Sequence, residues 1–114
     1  MPSNPNWGPI LWSVLHMKTL TYYPSVGNSN AFRNWVNSLP NKIPCRACAD
    51  HFVQLLDADP VDDALSSKTA LVAWAVRLHN TVNAKLGKPE FPLESVWDNQ
   101  LAIIASGLLN HFFL

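Results

Sequence analysis

Two cysteines three residues apart, in Cys45-Arg46-Ala47-Cys48, are the most reactive side chains of this 114-residue chain. On a helix they fall almost one turn apart on one face, close enough for their sulfurs to form a disulfide. A helix N-terminus lowers the pKa of a nearby thiol and Arg46 adds positive charge, so the pair suits thiol–disulfide exchange. In such a pair the first cysteine is exposed and the second faces whatever the helix packs on. The same residues also suit half of a zinc site, with His51 as third ligand and His16, His79 or His111 as fourth. A thioredoxin-type motif needs a β-α-β setting. Two inert buried thiols need no setting at all.

Other residues bear on that choice. Trp12 and His16 stand at i and i+4 on one helical face, as do His79 and Asn83 further along, with Asn80 adjacent. Lys85 and Lys88 follow. Each is more often an ordinary core or surface side chain when taken alone. Together they suit a large flat heteroaromatic ligand bearing phosphates: aromatic faces stack on rings, amides read ring edges, and lysines meet pyrophosphate. Flavin fits that description, although no G-x-G-x-x-G is present.

The elements that must position these residues are helical. The first helix begins near Pro9 and runs to about Tyr23, with Leu11, Val14, Leu15 and Tyr22 at helical spacing. After a loop over Gly27 to Asn30, a short second helix carries Phe32, Trp35, Val36 and Leu39 and stops before Pro40. Pro44 opens a third, holding both cysteines with Phe52, Val53, Leu55 and Leu56, and ending before Pro60. Asp57, Asp59, Asp62 and Asp63 mark a polar loop. Ser66 or Ser67 caps the fourth and longest helix, whose buried stripe is Leu71, Trp74, Leu78 and Val82 and whose end is signalled by Gly87 and Pro89. A last helix is expected within about residues 95–112. With no sustained β-alternation and no repeat, the fold class is all-α.

Composition narrows the function. Charged residues are 14% of the chain, where ordinary globular proteins carry about 25%. Hydrophobic residues make up 48%, five of them Trp, which excludes intrinsic disorder. Eight basic and eight acidic side chains balance, giving no electrostatic reason to expect nucleic acid or anionic lipid. Residues 1–6 lack the basic and apolar regions of a signal peptide. The apolar tail from Leu101 is interrupted by Ser106, Gly107, Asn110 and His111. It falls short of the about 20 residues of a membrane span, so no transmembrane segment is expected.

The motifs Trp12-Ser-Val-Leu-His16, Tyr22-Tyr23-Pro24, Pro44-Cys45-Arg-Ala-Cys48-Ala-Asp50, Trp74 and Leu78-His79-Asn80-Thr-Val82-Asn83-Ala-Lys85-Leu-Gly87-Lys88-Pro89 occur in one order and spacing. In these the chain resembles the Erv/ALR sulfhydryl oxidases over about residues 7–97. The resemblance implies a four-helix bundle around FAD plus a short fifth helix, in a single domain over 1–114. Residues 1–6 would be a flexible N-terminus and 98–114 an apolar C-terminal helix. It implies a flavin-linked thiol oxidase that forms disulfides in protein dithiols and passes the electrons to O2, giving H2O2.

Carried over residue by residue, Cys45 would exchange with substrate and Cys48 would face the flavin. Gly8, Trp12, His16 and Tyr23 would line the flavin, with His51 near it. His79, Asn80, Val82, Asn83, Lys85 and Lys88 would hold the adenine and phosphates. No metal is implied, and the partners would be a protein dithiol, directly or through a thioredoxin-like relay, and a second copy in a homodimer.

Several positions depart from the family pattern. Val76 and Leu93 stand where many members have a structural disulfide, Pro9 stands where cellular members have Arg, and the aromatic represented by Trp97 is offset. No shuttle cysteine pair is present. Such short forms resemble oxidases of large DNA viruses, which would place the protein in host cytoplasm or the virion. A cellular form would work in the mitochondrial intermembrane space or another oxidative-folding compartment. Leu101, Ile104, Ala105, Leu108, Leu109 and Phe112 give the tail an apolar stripe for its own core or a subunit interface, with a membrane-surface role disfavoured by the lack of basic residues. A zinc-stabilised helical interaction module is the alternative reading.

Overall fold

The computed structural model describes residues 7–99 and Phe112, and within them the fold is all-α, without strands. Helix α1 spans Trp7–Leu20, α2 Val26–Ser38, α3 Arg46–Ala58 and α4 Lys68–Leu86. Shorter 3-10 segments follow α2 (Leu39–Lys42), precede α4 (Val61–Ser66) and succeed it (Leu93–Asn99).

Helix α1 is buried on nearly every side. Ile10 through His16 form an unbroken buried run, and Thr19 extends it. A helix that is apolar all round belongs in the centre of a domain, and α1 packs there against α4 and the Leu93–Asn99 segment. Helix α4 buries Leu71, Val72, Trp74, Ala75, Leu78 and His79. Trp74 is fully enclosed, and its indole N–H donates to the Asp59 carbonyl at 2.7 Å. Helix α3 has one fully buried residue, Phe52, and lies at the edge with an open outer face.

Local chemistry sets the helix ends. The Ser67 hydroxyl accepts from the Ala70 N–H at 3.0 Å and starts α4. Gly87, at φ +71°, takes the left-handed conformation that stops it. There Lys88 N–H donates to the Asn83 carbonyl and Gly87 N–H to the Ala84 carbonyl, closing the paired bonds of a Schellman ending.

Four expectations shift. Helix α1 stops at Leu20 rather than Tyr23, because Pro24 disfavours helical backbone before it and Tyr22 turns inward. The Tyr22 hydroxyl donates to the Leu65 carbonyl at 2.6 Å and accepts from the Ser29 hydroxyl at 2.9 Å. Helix α2 begins at Val26 and takes in the whole of the expected loop, since Ser25 caps it by accepting from the Asn28 N–H. Helix α3 starts at Arg46, two residues after Pro44, with Cys45 as its N-cap. The acidic loop is a 3-10 turn that buries Val61, Ala64 and Leu65 beneath its aspartates.

Of the expected last helix, Leu93–Asn99 is 3-10, and the remainder apart from Phe112 lies outside the described residues, as do residues 1–6. Phe112 is fully buried in the same core, its carbonyl accepting from the Trp35 indole N–H at 2.7 Å. No helix among the described residues is long and apolar enough to cross a membrane. At the positions of the absent family disulfide, Val76 is half-buried and Leu93 is 47% exposed. Leu93 lines a surface groove with Leu20, Val72 and Trp97.

Removing the Tyr22 hydroxyl isolates the buried Leu65 carbonyl while leaving the ring packed. Tyr22→Phe is expected to lower stability by about 1–2 kcal/mol, read as a fall in the urea midpoint at unchanged slope. An unchanged midpoint would show that the hydroxyl anchors nothing.

Candidate active site

Helix α3 begins with the two cysteines. Cys45 has extended backbone (φ −115°, ψ 114°), and its Sγ accepts the Cys48 N–H at 3.2 Å. A sulfur here does the work usually given to a serine or aspartate cap. Cys45 and Cys48 are joined by a disulfide, with Cα atoms 5.2 Å apart. Both are half-buried. Cys48 therefore occupies the first turn of the helix, where unpaired N–H groups favour negative charge on sulfur.

Cys48 opens onto a cavity of about 340 Å³ with mainly apolar walls, a volume within the range of small-molecule sites. Its wall includes Gly8, Trp12, His51, Val82, Lys85 and Lys88 from the set nominated by sequence. A Cβ added at Gly8 would meet nothing within 4 Å, so open space adjoins the backbone there. Lys85 and Lys88 are exposed and stand at the solvent edge. The lining contains no carboxylate, so the site is electropositive.

Behind the wall lies a buried aromatic stack joining α1 to α4. The Trp12 and His79 rings are parallel within 8° with centroids 4.3 Å apart. His16 Nε2 and His79 Nδ1 are 2.9 Å apart and share one proton between the two helices. His16 also stacks on Phe91, centroids 4.7 Å apart and planes 5° apart. His16 Nδ1 is buried without a hydrogen-bond partner.

Burial pushes the His16 pKa down from 6.5 to about 3, with the His79 charge adding to the effect. Burial likewise lowers His79 to about 4, with Lys88 second. Slight burial, then the Lys85 ammonium, holds His51 below its usual value. All three rings are thus held toward the neutral form.

The remaining nominated residues lie elsewhere or are engaged. Tyr23 is 73% exposed in the connection between α1 and α2, and it does not line the cavity. The Asn80 amide grips Phe91, accepting its N–H at 2.6 Å and donating to its carbonyl at 3.1 Å. Asn83 Nδ2 donates to the Pro89 carbonyl at 3.2 Å. Both amides hold the turn after α4 against the helix, and that turn delivers Phe91 to His16. Trp97 is 56% exposed and lines the groove with Leu93, outside the cavity. His111 lies outside the described residues.

Sequence reading missed other wall residues. Leu11, Phe52 and Leu86 follow Trp7, Cys48 and Val82 by four positions, a signal that extending each helical face would have found. Ile43 in the wall, and Phe91 stacked on His16 behind it, come from connections and left no periodic trace. Among the described residues, no three His, Cys, Asp or Glu side chains converge in a manner that could hold a metal ion. Among the described residues, the zinc alternative thus finds no set of three ligands.

The helical domain thus sets a cysteine disulfide against an apolar, cation-edged cavity. The chain belongs to the Erv1 / Alr family, whose sequence model matches residues 9–102. It is 34% identical over 91 residues to the FAD-linked sulfhydryl oxidase ERV1 of Arabidopsis thaliana, covering 78% of this chain and 47% of that one. Proteins named for the same activity in Invertebrate iridescent virus 6 (347L) and Invertebrate iridescent virus 3 (096R) are also similar. The first is 36% identical over 98 residues, covering 79% of this chain and 86% of its own length. The second is 33% identical over 93 residues, covering 80% and 63%.

The histidine pair has a measurable consequence. Both folded-state pKa values lie below the ordinary 6.5, so the unfolded chain binds more protons as pH falls. The stability present above pH 6.5 is lost progressively toward about 4 and then about 3. The urea midpoint should fall between about pH 7 and about pH 5, reporting a loss of stability of up to about 1.4 kcal/mol per pH unit for each histidine. A midpoint that does not move over this interval would contradict the buried neutral pair.

Proposed function

We propose that this protein is an FAD-dependent thiol oxidase, forming disulfides in protein dithiols through Cys45 and Cys48. The observation that carries the reading is the position of Cys48, which is bonded to Cys45 and also forms part of the cavity wall. The names of the similar plant and viral proteins support it.

The residues fit the cofactor. The apolar wall around Trp12, Phe52 and Val82 accepts a flat ring system, and the two edge lysines suit pyrophosphate. Gly8, Trp12, His51, Val82, Lys85 and Lys88 would hold the group. His16 and His79 would act from behind Trp12, and Asn80 and Asn83 by fixing the turn that carries Lys88. Tyr23 would contribute only if the connection before α2 closed on the site.

The chain's own chemistry begins at Cys45. A substrate thiolate attacks Cys45 Sγ, the bond to Cys48 breaks, and Cys48 departs as a thiolate while the substrate proton passes to water. The first turn of α3 lowers the cost of that leaving thiolate. A second substrate thiol resolves the mixed disulfide at Cys45, releasing oxidised substrate. Bound FAD supplies a two-electron acceptor for the dithiol and a route from there to O2, with H2O2 as product.

The purified protein should be yellow, with visible flavin absorbance. Cys48→Ser should retain that absorbance while oxygen consumption with dithiothreitol drops to the enzyme-free rate. A variant that still oxidises the dithiol at the wild-type rate would exclude the Cys48 path.

A further inference from the structure

Helix α3 has a second lined face. Ala47, Cys48, His51 and Phe52 border the cavity, whereas Arg46, Asp50 and Val53 lie on the opposite side of the helix. There they border a separate groove of about 430 Å³, with Pro40, Ile43 and Pro44 completing its apolar floor. Half-buried Cys45 lies in the chain between Pro44 and Arg46, both groove residues, while its partner Cys48 borders the cavity. Val53 is 43% exposed, an apolar side chain left facing solvent on this side.

The charges on the groove are not explained by the fold. Arg46 is the first residue of α3, where the helix dipole disfavours a cation. Arg46 and Asp50 are in the less favourable order for an i,i+4 pair, and they do not form one. The ion pairs among the described residues are Arg33 with Asp62 and Arg77 with Asp59. Both groove charges are exposed and available to something outside the chain.

We propose that this groove docks the cysteine-bearing segment of the protein substrate. Arg46 meets an acidic side chain beside the substrate cysteine, Asp50 meets a basic one on its far side, and an apolar neighbour covers Val53 and Pro44. This rests on the oxidase reading, because it is the exchange at Cys45 that requires a polypeptide on this face. Arg46 has a second effect on that exchange, since a cation beside Cys45 favours the thiolate form of the incoming sulfur. The specificity is for charge pattern around a cysteine in an extended or loop segment, presented to one side of α3 while the cofactor cavity occupies the other.

The test compares two reduced dithiol peptides, identical except for Asp or Lys beside the reacting cysteine, with dithiothreitol as a reference. The wild-type protein should favour the Asp peptide in kcat/KM by about threefold, the scale of an exposed charge contact. Arg46→Gln should bring the ratio near one, and Arg46→Glu should invert it, while both variants keep their visible flavin absorbance. Equal kcat/KM for the two peptides in wild type, or a ratio unmoved by Arg46→Glu, overturns the docking proposal and leaves dithiothreitol oxidation standing. Failure of the wild type to oxidise dithiothreitol or either peptide overturns the oxidase reading and this proposal with it.

Discussion

The contact between Trp12, His16 and His79 is the constraint on which this small protein depends. Helix α1 is enclosed by its neighbours, so its polar side chains look for partners inside the domain, although His16 Nδ1 has none. His16 finds one in His79 across the seam to α4, and the Trp12 ring lies flat on the same imidazole. Stacked aromatic pairs of this kind contribute about 0.5–1.5 kcal/mol beyond their buried area. The pair also fixes the relative position of the two helices that supply most of the cavity wall. Low charge follows from the same requirement: a chain this short that buries a central helix has little interior in which an ion could be compensated.

Around that seam, helix α3 separates two chemical tasks. Its first turn holds the disulfide, with Cys45 as both cap and reactive sulfur. One side faces an apolar cavity edged by lysines, and the other faces a groove bearing unpaired charges. The few contacts that α3 spends on the core, chiefly Phe52 against Trp12, are consistent with such an edge position.

Much of this architecture was legible in the residues. Ser67 and Gly87 bracket α4 with ordinary capping chemistry, and its stripe of Leu71, Trp74 and Leu78 is buried as the 3.6-residue period requires. The cysteine spacing allowed a disulfide beside a zinc half-site or two inert thiols, and the pair is disulfide-bonded. What escaped was local structure too short for periodicity: the 3-10 turn over Val61–Ser66 looks polar because its aspartates are sequential, although every third or fourth residue points inward. Side-chain assignments were hardest where a polar residue had two possible employers. Asn80 and Asn83 have the chemistry to read a ligand's ring edge, and their amides instead bind the backbone of the turn after α4. Phe91 reaches His16 through that turn, a tertiary consequence that no spacing rule contains.

The central claim is that the Cys45–Cys48 disulfide and the cavity it borders work as one electron path. Anaerobic addition of a dithiol to the purified protein tests it most directly. The account predicts that the visible flavin absorbance bleaches as thiols are consumed and returns on admission of air. A preparation that binds flavin but stays unbleached with excess dithiol would contradict it.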